Sequence, residues 1–335
     1  MIYKIENIKH CYNGKPAFET SSLSISKASI TGLTGPNGAG KTTLLSILAL
    51  IQKPTSGTIY FKGKPVQPFS KSAKSRITLL NQEPYLLKRS VFQNVAYGLK
   101  LRKDTANLKE RVHNALATVG LDGHDFTDRL WSELSGGESR RVALAARLIL
   151  NPDVLILDEP TANIDTESSI LIRKAALNAR KTYGTTLIIS SHDRDWLYDV
   201  SDTVLNIFNG KILHGNRISP VPGPWEPSGI NLYKKTGTDF MIPKPPDPKS
   251  IAFISAEALG ICQTLDAVPK GNQYLQARLK SIMIDNKTSK RYGTLKAGEL
   301  TLIADLENKP PGSFTAEPGQ TVFVFYNPDT IQFTT

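Results

Sequence analysis

The sequence predicts an α/β fold with a parallel sheet core, followed by a proline-rich linker and a small all-β domain. From the start to about residue 215, short apolar runs alternate with helical stretches, the pattern of a parallel sheet wrapped by helices. Prolines, which favour extended backbone, then crowd residues 216–250. Beyond them, β-branched and aromatic runs are separated by Gly and Pro turns. We therefore divide the chain into 1–215, 216–250 and 251–335.

The composition indicates a globular protein with an acidic partner. The 335 residues are 40% hydrophobic and 21% charged, enough to bury at least one large core. The net charge of +11 favours a nucleotide, a nucleic acid or an anionic membrane surface, unless it reflects only a basic, solvated surface. Cys11 and Cys262 have neither metal-site nor redox-pair spacing, so reduced thiols in the cytosol are expected.

The sequence predicts neither export nor a membrane-spanning helix. Its first six residues lack the basic and then apolar pattern of a secretion signal. No apolar run approaches the roughly 18 residues that a spanning helix needs. Membrane association is therefore expected to come through a partner.

A glycine-rich loop predicts a phosphate-binding site. It lies between the strand-like residues 30–33 and the helical run 44–51, the context that this motif requires. Glycines let backbone N–H groups turn towards phosphate oxygens, and the helix start adds a positive dipole end. Lys41 is expected to reach the β- and γ-phosphates, and the Thr42 hydroxyl to bind Mg²⁺. The predicted ATP-binding residues of this loop are Gly35, Pro36, Asn37, Gly38, Ala39, Gly40, Lys41, Thr42 and Thr43.

Two acids at the end of an apolar strand predict the magnesium and water end of the site. Residues 154–157 are continuously apolar, as in a strand buried on both faces, and Asp158 and Glu159 follow them. Ligands of open α/β sheets bind at the carboxyl ends of strands, so Asp158 is expected to hold hydrated Mg²⁺ and Glu159 to polarise the attacking water. The alternative is a strand that merely ends in solvated acids, which the phosphate loop disfavours.

A histidine follows a further apolar strand, residues 187–191. On spacing alone, His192 fits either a contact to the γ-phosphate or a capped surface histidine. Its position at the same predicted sheet edge as the two acids favours the phosphate contact.

Residues 134–138, with the sequence LSGGE, resemble the signature motif of the ATP-binding-cassette family. A Ser-Gly-Gly turn at a helix start is by itself an N-cap or an anion site. The resemblance covers about the first 215 residues and implies a P-loop ATPase cassette with a helical subdomain, which hydrolyses ATP with Mg²⁺. It also implies a head-to-tail homodimer in which Ser135, Gly136 and Gly137 of one subunit close over the γ-phosphate held by Lys41 of the other.

Other positions match the family residue by residue. Tyr12 looks like the aromatic that stacks on adenine, although an isolated tyrosine also fits simple packing. Asp165 is retained in the loop that crosses the dimer, where Asn163 and Ile164 depart from the commoner Ser or Gly and Leu. Gln82 looks like the glutamine that joins Mg²⁺ and water to the coupling region. The predicted catalytic residues are Lys41, Gln82, Glu159 and His192, and the predicted metal ligands are Thr42, Gln82 and Asp158.

The resemblance further implies an ATPase at the cytoplasmic face of the plasma (inner) membrane, attached through a permease. Importers commonly place their ATPase on a separate chain. The stretch from Gln82 to Arg102, which mixes apolar and basic residues, stands where the family receives the permease coupling helix; an internal face of the helical subdomain is the alternative. A substrate-binding protein would be an indirect partner.

The expected cargo is tungstate or molybdate, because residues 76–102 resemble the ATPases of such importers more than those of sugar importers. Residues 254–261 resemble the start of the small oligomer-binding-type (OB-like) domain found after these ATPases. That resemblance implies a C-terminal domain that binds oxyanion or only stabilises the dimer. Sulfate, phosphate, ferric iron, sugars and polyamines remain as other cargo classes.

A soluble motor of the same superfamily, acting on nucleic acid or the ribosome, would also explain the charge and the β tail. Such proteins usually carry two cassettes or a coiled-coil insertion, whereas this chain has one cassette and no sustained heptads. No nucleic-acid partner is therefore expected. The joint presence of Lys41, Asp158, Glu159 and His192 disfavours a binding module with a vestigial site.

Overall fold

The chain forms two compact units, Met1–Ile212 and Leu213–Thr335, in a computed structural model. The described residues are 1–213, 217–229, 231–285, 288–309 and 315–334. In this part of the chain no helix is both long and apolar enough to cross a bilayer.

The first unit alternates strands and helices. Its strands are β1 (Tyr3–Tyr12), β2 (Lys15–Ile25), β3 (Ile30–Thr34), β4 (Ser56–Phe61), β5 (Lys64–Val66), β6 (Ile77–Leu80), β7 (Val154–Asp158), β8 (Thr186–Ser190), β9 (Thr203–Phe208) and β10 (Lys211–Leu213). Its helices are α1 (Lys41–Leu48), α2 (Lys71–Lys74), α3 (Val91–Leu101), α4 (Leu108–Thr118), α5 (Gly123–Phe126), α6 (Gly136–Leu148), α7 (Thr166–Tyr183) and α8 (Arg194–Val200).

The strands of the first unit form one mixed sheet in the order β5-β4-β1-β2-β10-β9-β3-β8-β7-β6. The run β9-β3-β8-β7-β6 is parallel, so the predicted α/β class with a parallel core is confirmed. The sheet also has an antiparallel part, formed by β5, β4, β1 and β2, which the parallel-sheet prediction lacked. In β1 buried and exposed residues largely alternate, the pattern of a strand covered on one face.

The central strands are buried on both faces, which explains their continuous apolar sequences. In β7, Leu155 and Leu157 pack into a core that includes the helices α3, α4, α6 and α7. Val154 and Ile156 point the other way, into a second core with α1 and the antiparallel strands. The carboxyl ends of β3, β7 and β8 are therefore held side by side at one edge of the sheet.

The second unit is built of short strands and small sheets. Its strands are β11 (Ser219–Pro222), β12 (Trp225–Pro227), β13 (Leu232–Lys235), β14 (Met241–Pro243), β15 (Ile251–Ile254), β16 (Leu259–Cys262), β17 (Gln273–Ile284), β18 (Arg291–Ala297), β19 (Leu300–Asp305), β20 (Thr321–Tyr326) and β21 (Gln332–Thr334). The sheet orders are β11-β15-β21, β12-β13-β14 and β16-β20-β17-β18-β19. This all-β architecture agrees with the predicted small β domain.

The structure differs from the predicted linker at 216–250. The described residues of this segment form β11 to β14 and add Val221, Trp225, Phe240 and Ile242 to the core of the second unit. The prolines inside these strands lie in β11, β12 and β14, which are all edge strands. An edge strand leaves half of its N–H groups outside the ladder, so proline is tolerated there. The second unit therefore begins near Leu213 and not at 251.

Phe240 tests whether this segment belongs to the folded unit. Its side chain is fully buried and stacks on Tyr326, with ring centroids 4.9 Å apart. Phe240→Ala should lower the stability of the second unit by about 3–5 kcal/mol, because it removes a buried ring and leaves a cavity. Hydrogen exchange of the β18 and β20 amides measures this unit separately.

The matched control is Tyr274→Ala, which removes a half-exposed ring from the same unit and should cost under about 1 kcal/mol. Equal protection in the two variants would mean that residues 216–250 do not support the β fold.

Candidate nucleotide site

The phosphate loop runs from the end of β3 to the start of α1. Gly35 and Gly40 have left-handed backbones, with φ of 150° and 102°. A Cβ on Gly35 would lie 2.0 Å from the carbonyl oxygen of Ile207, and one on Gly40 would lie 2.6 Å from that of Ala17. Only glycine lets the loop approach these two strands so closely. The loop is thereby fixed against the sheet, with α1 starting directly behind it.

Lys41 is buried at the first position of α1, and its Nζ donates to the carbonyls of Gly35 (2.8 Å) and Pro36 (3.1 Å). Burial lowers the pKa of Lys41, an effect that the carboxylates of Glu159 and Asp158 oppose and the Arg194 cation adds to. A phosphate group would offer this ammonium stronger acceptors than the two carbonyls.

Asp158 is held between two hydroxyls at the end of β7. The Thr42 hydroxyl donates to Oδ2 at 2.9 Å, and the Ser190 hydroxyl donates to Oδ1 at 2.6 Å. Because β7 and β8 pair in register, Ser190 lies directly beside Asp158. The predicted Mg²⁺ ligands Thr42 and Asp158 are thus in direct contact.

Glu159 borders the same cavity as the phosphate loop. Its φ of 47° is left-handed, and its N–H donates to the Ser190 hydroxyl (2.9 Å) and carbonyl (3.2 Å). Its Oε1 lies 2.9 Å from Nε2 of His192. The Glu159 side chain is nearly buried, whereas His192 is half-exposed. Glu159, the acid that is predicted to activate water, is therefore oriented by groups on β8 and on the loop after it.

The residue after His192 is anchored to two helices. Asp193 caps α8 by accepting from the N–H of Trp196 at 3.1 Å. Its other carboxylate oxygen accepts from Arg173 of α7 at 2.6 Å. The Arg173 guanidinium also stacks on the Trp196 ring, 4.4 Å from its centroid. These contacts fix the loop that carries His192.

A cavity of about 650 Å³ joins most of the predicted site, a size that suits a nucleotide. Its walls are Tyr12, Ala17, Asn37, Gly38, Ala39, Gly40, Lys41, Thr42, Thr43, Gln82, Glu159, Ala162, Asn163 and His192. The half-exposed ring of Tyr12 lies at this cavity and packs edge-on against buried His10, with ring centroids 4.6 Å apart. Gly35 and Pro36 lie outside these walls and contact Lys41, while Asp158 is reached through Thr42.

The oxygen donors of this site fit Mg²⁺. Thr42 and Gln82 border the cavity, and the Asp158 carboxylate accepts from the Thr42 hydroxyl. Mg²⁺ favours such oxygen ligands while keeping several waters and substrate phosphates. The described residues hold no cluster of three or more His, Cys, Asp or Glu suited to a metal ion. This donor set suits a Mg²⁺ that arrives with its nucleotide better than a metal caged by protein alone.

The signature residues and Asp165 do not border the cavity. Ser135 caps α6, accepting from the N–H of Glu138 at 3.2 Å, and Asp165 caps α7, accepting from the N–H of Ser168 at 2.7 Å. The two bonds from Ser168 lower the pKa of Asp165. A Cβ on Gly137 would lie within 2.6 Å of both Asp165 and Ser168 oxygens, so glycine lets the two helix starts meet. Ser135 and Gly136 are exposed.

Two residues that position the site, Ser190 and Arg140, belong to no motif that predicts a role for them. Ser190 contacts both Asp158 and the N–H of Glu159. Arg140 of α6 donates to the carbonyls of Gln82 and Ala162. The only sequence signal for Ser190 is a hydroxyl at a strand end that falls beside the acids when the two strands are aligned. Arg140 gives no such signal, because its partners are main-chain atoms.

A phosphate loop, two acids and a histidine around one cavity define a nucleotide-binding P-loop ATPase cassette. Among known proteins, the family model for ABC transporters matches residues 18–162. The tungstate uptake system ATP-binding protein of Peptoclostridium acidaminophilum is 36% identical over 209 residues, which cover 62% of this chain and 95% of that protein. The chain therefore belongs to the ATP-binding proteins of ABC transporters.

Two further relatives match over similar stretches. The Fe(3+) ions import ATP-binding protein of Escherichia coli (strain K12) is 36% identical over 241 residues, covering 71% of this chain. The spermidine/putrescine import ATP-binding protein of Mesoplasma florum is 34% identical over 212 residues, covering 63% of this chain. The matched stretches span 65% and 60% of these two relatives.

Solved structures agree with the cassette fold. A Clostridium perfringens protein that is part of an ABC transporter complex matches with a TM-score of 0.57 and 33% identity, over 64% of this chain and 87% of that one. A dimeric ATP-binding cassette bound to ADP and phosphate matches with a TM-score of 0.59 over 64% of this chain and 97% of that one. At 22% identity the second likeness shows the fold alone.

Glu159→Gln should separate nucleotide binding from hydrolysis. The amide removes the carboxylate that is predicted to act as general base and leaves Lys41 and the phosphate loop intact, so kcat should fall by a factor of about 10²–10⁴. The Kd for ATP should change by less than about threefold, because the cradle is untouched. Phosphate release and direct titration of ATP measure the two quantities.

Lys41→Ala is the complementary control, since it removes the cation that is predicted to bind phosphate and should weaken ATP affinity itself. Unimpaired turnover in Glu159→Gln would remove Glu159 from the catalytic role.

Proposed function

We propose that this chain is the ATP-hydrolysing subunit of a membrane importer, with tungstate or molybdate as cargo. The observation that carries the ATPase part is the pairing of Glu159 with His192 at the wall of the cavity that also contains Lys41. The importer part is supported by relatives that act in the uptake of tungstate, iron and polyamines.

The positions of these groups support the following route of hydrolysis. The triphosphate enters the glycine cradle, where Lys41 exchanges carbonyl partners for phosphate oxygens. Thr42, Asp158 and Gln82 would hold Mg²⁺, which neutralises phosphate charge when bound. Glu159, one residue beyond Asp158, orients and deprotonates the attacking water, and His192 contacts the γ-phosphate.

The active form is proposed to be a head-to-tail homodimer. Ser135 and Gly136 stand exposed at the start of α6 and do not border the cavity of their own subunit. A helix start with free N–H groups binds anions. In the dimer these residues, with Gly137, would close over the γ-phosphate held by Lys41 of the other subunit, and Asp165 would lie at the same interface.

The permease is proposed to contact the surface between Gln82 and Arg102. Tyr85 is 87% exposed and Leu101 is 67% exposed, and Leu87 and Tyr97 are also exposed. Buried Asn94 braces this loop by hydrogen bonding to the backbone of residues 87–90. Exposed apolar side chains on a fixed frame suit a groove for a partner helix. Because Gln82 also borders the nucleotide cavity, this docking surface adjoins the catalytic site.

Tungstate or molybdate is preferred as cargo on the resemblance of residues 76–102, and the tungstate relative supports this choice. The iron relative is equally similar at 36% identity, so iron import is the second candidate, with polyamine import beside it. The tungstate match already covers 95% of that relative, which leaves the second unit of this chain without a counterpart in it. The second unit is proposed to bind oxyanion or to stabilise the dimer.

Calorimetric titration of tungstate, molybdate and sulfate into the full chain tests the cargo proposal. We expect tungstate or molybdate to bind at least about tenfold more tightly than sulfate, which corresponds to roughly 1.4 kcal/mol. The full chain is needed because a fragment starting at 251 would lose β11 to β14 and their core residues.

Ferric citrate and spermidine serve as comparison ligands in the same titration. No heat with any oxyanion would withdraw the sensor role of the second unit and reopen the choice of cargo, while the ATPase assignment would stand on phosphate release alone.

A further inference from the structure

Arg140 connects three main-chain carbonyls from two separate loops of the nucleotide site. It is 8% exposed and is one of the buried residues of α6. Nη2 donates to the carbonyl of Gln82, and Nη1 donates to the carbonyls of Ala162 and, at 3.4 Å, Pro160. The planar guanidinium has donors in a fixed fork, so one side chain can bridge acceptors that lie in different directions.

The loop after Glu159 has a backbone that needs such support. Glu159 and Asn163 both have left-handed φ, of 47° and 56°. A left-handed backbone is unfavourable for a side chain such as that of glutamate and persists only when its surroundings fix it. The carbonyls of Pro160 and Ala162, which Arg140 binds, lie between these two residues. Arg140 therefore holds the segment over which the chain turns.

Both loops that Arg140 joins contribute side chains to catalysis. The nucleotide cavity is bordered by Gln82 from one of these loops and by Glu159, Ala162 and Asn163 from the other. The phosphate cradle is fixed separately, by its glycines and by α1. Loss of the Arg140 side chain would thus displace Gln82 and Glu159 and leave the phosphate-binding loop in place.

We propose that Arg140 is a positioning residue that sets the distance between Gln82 and Glu159, so that turnover depends on it and ATP affinity does not. The proposal rests on the ATPase function proposed above.

Arg140→Met tests the proposal, since methionine keeps much of the buried volume and removes every donor. The matched control is Arg147→Met, two turns further along the same helix, where burial also lowers the arginine pKa. Arg147 likewise donates to carbonyls, those of Leu79 (3.3 Å) and Ala143 (3.0 Å), but touches neither catalytic loop. Arg140→Lys, which retains the charge without the fork, is the milder second variant.

Hydrogen exchange of the nucleotide-free full chain is the first readout, because it needs no turnover. We expect the amides of Glu159 and Ala162, which donate to Ser190 and to Glu159, to exchange faster in Arg140→Met and at the wild-type rate in Arg147→Met. Unchanged exchange of both amides would overturn the proposal, whatever happens to activity. This readout stands even if the chain proved not to hydrolyse ATP, so failure of the ATPase assignment would be recognised separately.

Steady-state kinetics and a double-mutant cycle with Gln82→Ala are the second readout. We expect kcat to fall about tenfold or more in Arg140→Met, while the Kd for ATP stays within about threefold of the wild-type value. The kcat of Arg140→Lys should lie between those of the wild type and Arg140→Met. In the Gln82→Ala background the Arg140 effect should shrink. A parallel loss of ATP affinity, or full additivity with Gln82→Ala, would overturn the positioning role.

Discussion

The carboxylate of Asp158, held between the hydroxyls of Thr42 and Ser190, is the contact on which the nucleotide site depends. It joins α1, β7 and β8, the three elements that bring the phosphate loop, the acids and the histidine to one edge of the sheet. Asp158 is 5% exposed, and a carboxylate so buried must keep its hydrogen bonds. This carboxylate therefore ties the start of α1, next to the phosphate loop, to the ends of β7 and β8.

The backbone gives the adjacent acids Asp158 and Glu159 different surroundings. Asp158 ends β7 and points along the sheet edge to hydroxyls, whereas the left-handed turn at Glu159 directs the next carboxylate to His192. Asp158 accepts hydrogen bonds from neutral hydroxyls, a setting suited to a metal ligand. Glu159 is paired with the half-exposed imidazole of His192 at the cavity wall, a setting suited to the activation of water. The strain of the turn is held by Ser190 on one side and by Arg140 on the other.

Much of this site could be predicted from the sequence because the motifs fall at the ends of apolar runs. Parallel strands that are buried on both faces align their carboxyl ends, so the loop after β3 and the residues after β7 and β8 had to be neighbours. Ser190 and Arg140 could not be found in this way, because no local sequence pattern predicts strand register or contacts to main-chain carbonyls. The linker prediction was misled by composition, because the prolines of β11, β12 and β14 lie on edge strands whose apolar residues still fill a core. Large apolar residues in that segment, such as Phe240, were the sequence signal that argued against a linker.

The measurement that tests this account most directly is the Mg²⁺ dependence of ATP affinity in the wild-type chain and in Asp158→Asn. If Asp158 holds the metal, Mg²⁺ should tighten ATP binding to the wild-type chain by about tenfold or more and have little effect on the variant, in line with the loss expected from a removed metal-site group. An equal Mg²⁺ effect in both proteins would contradict the assignment of Asp158 and, with it, the central contact of the site.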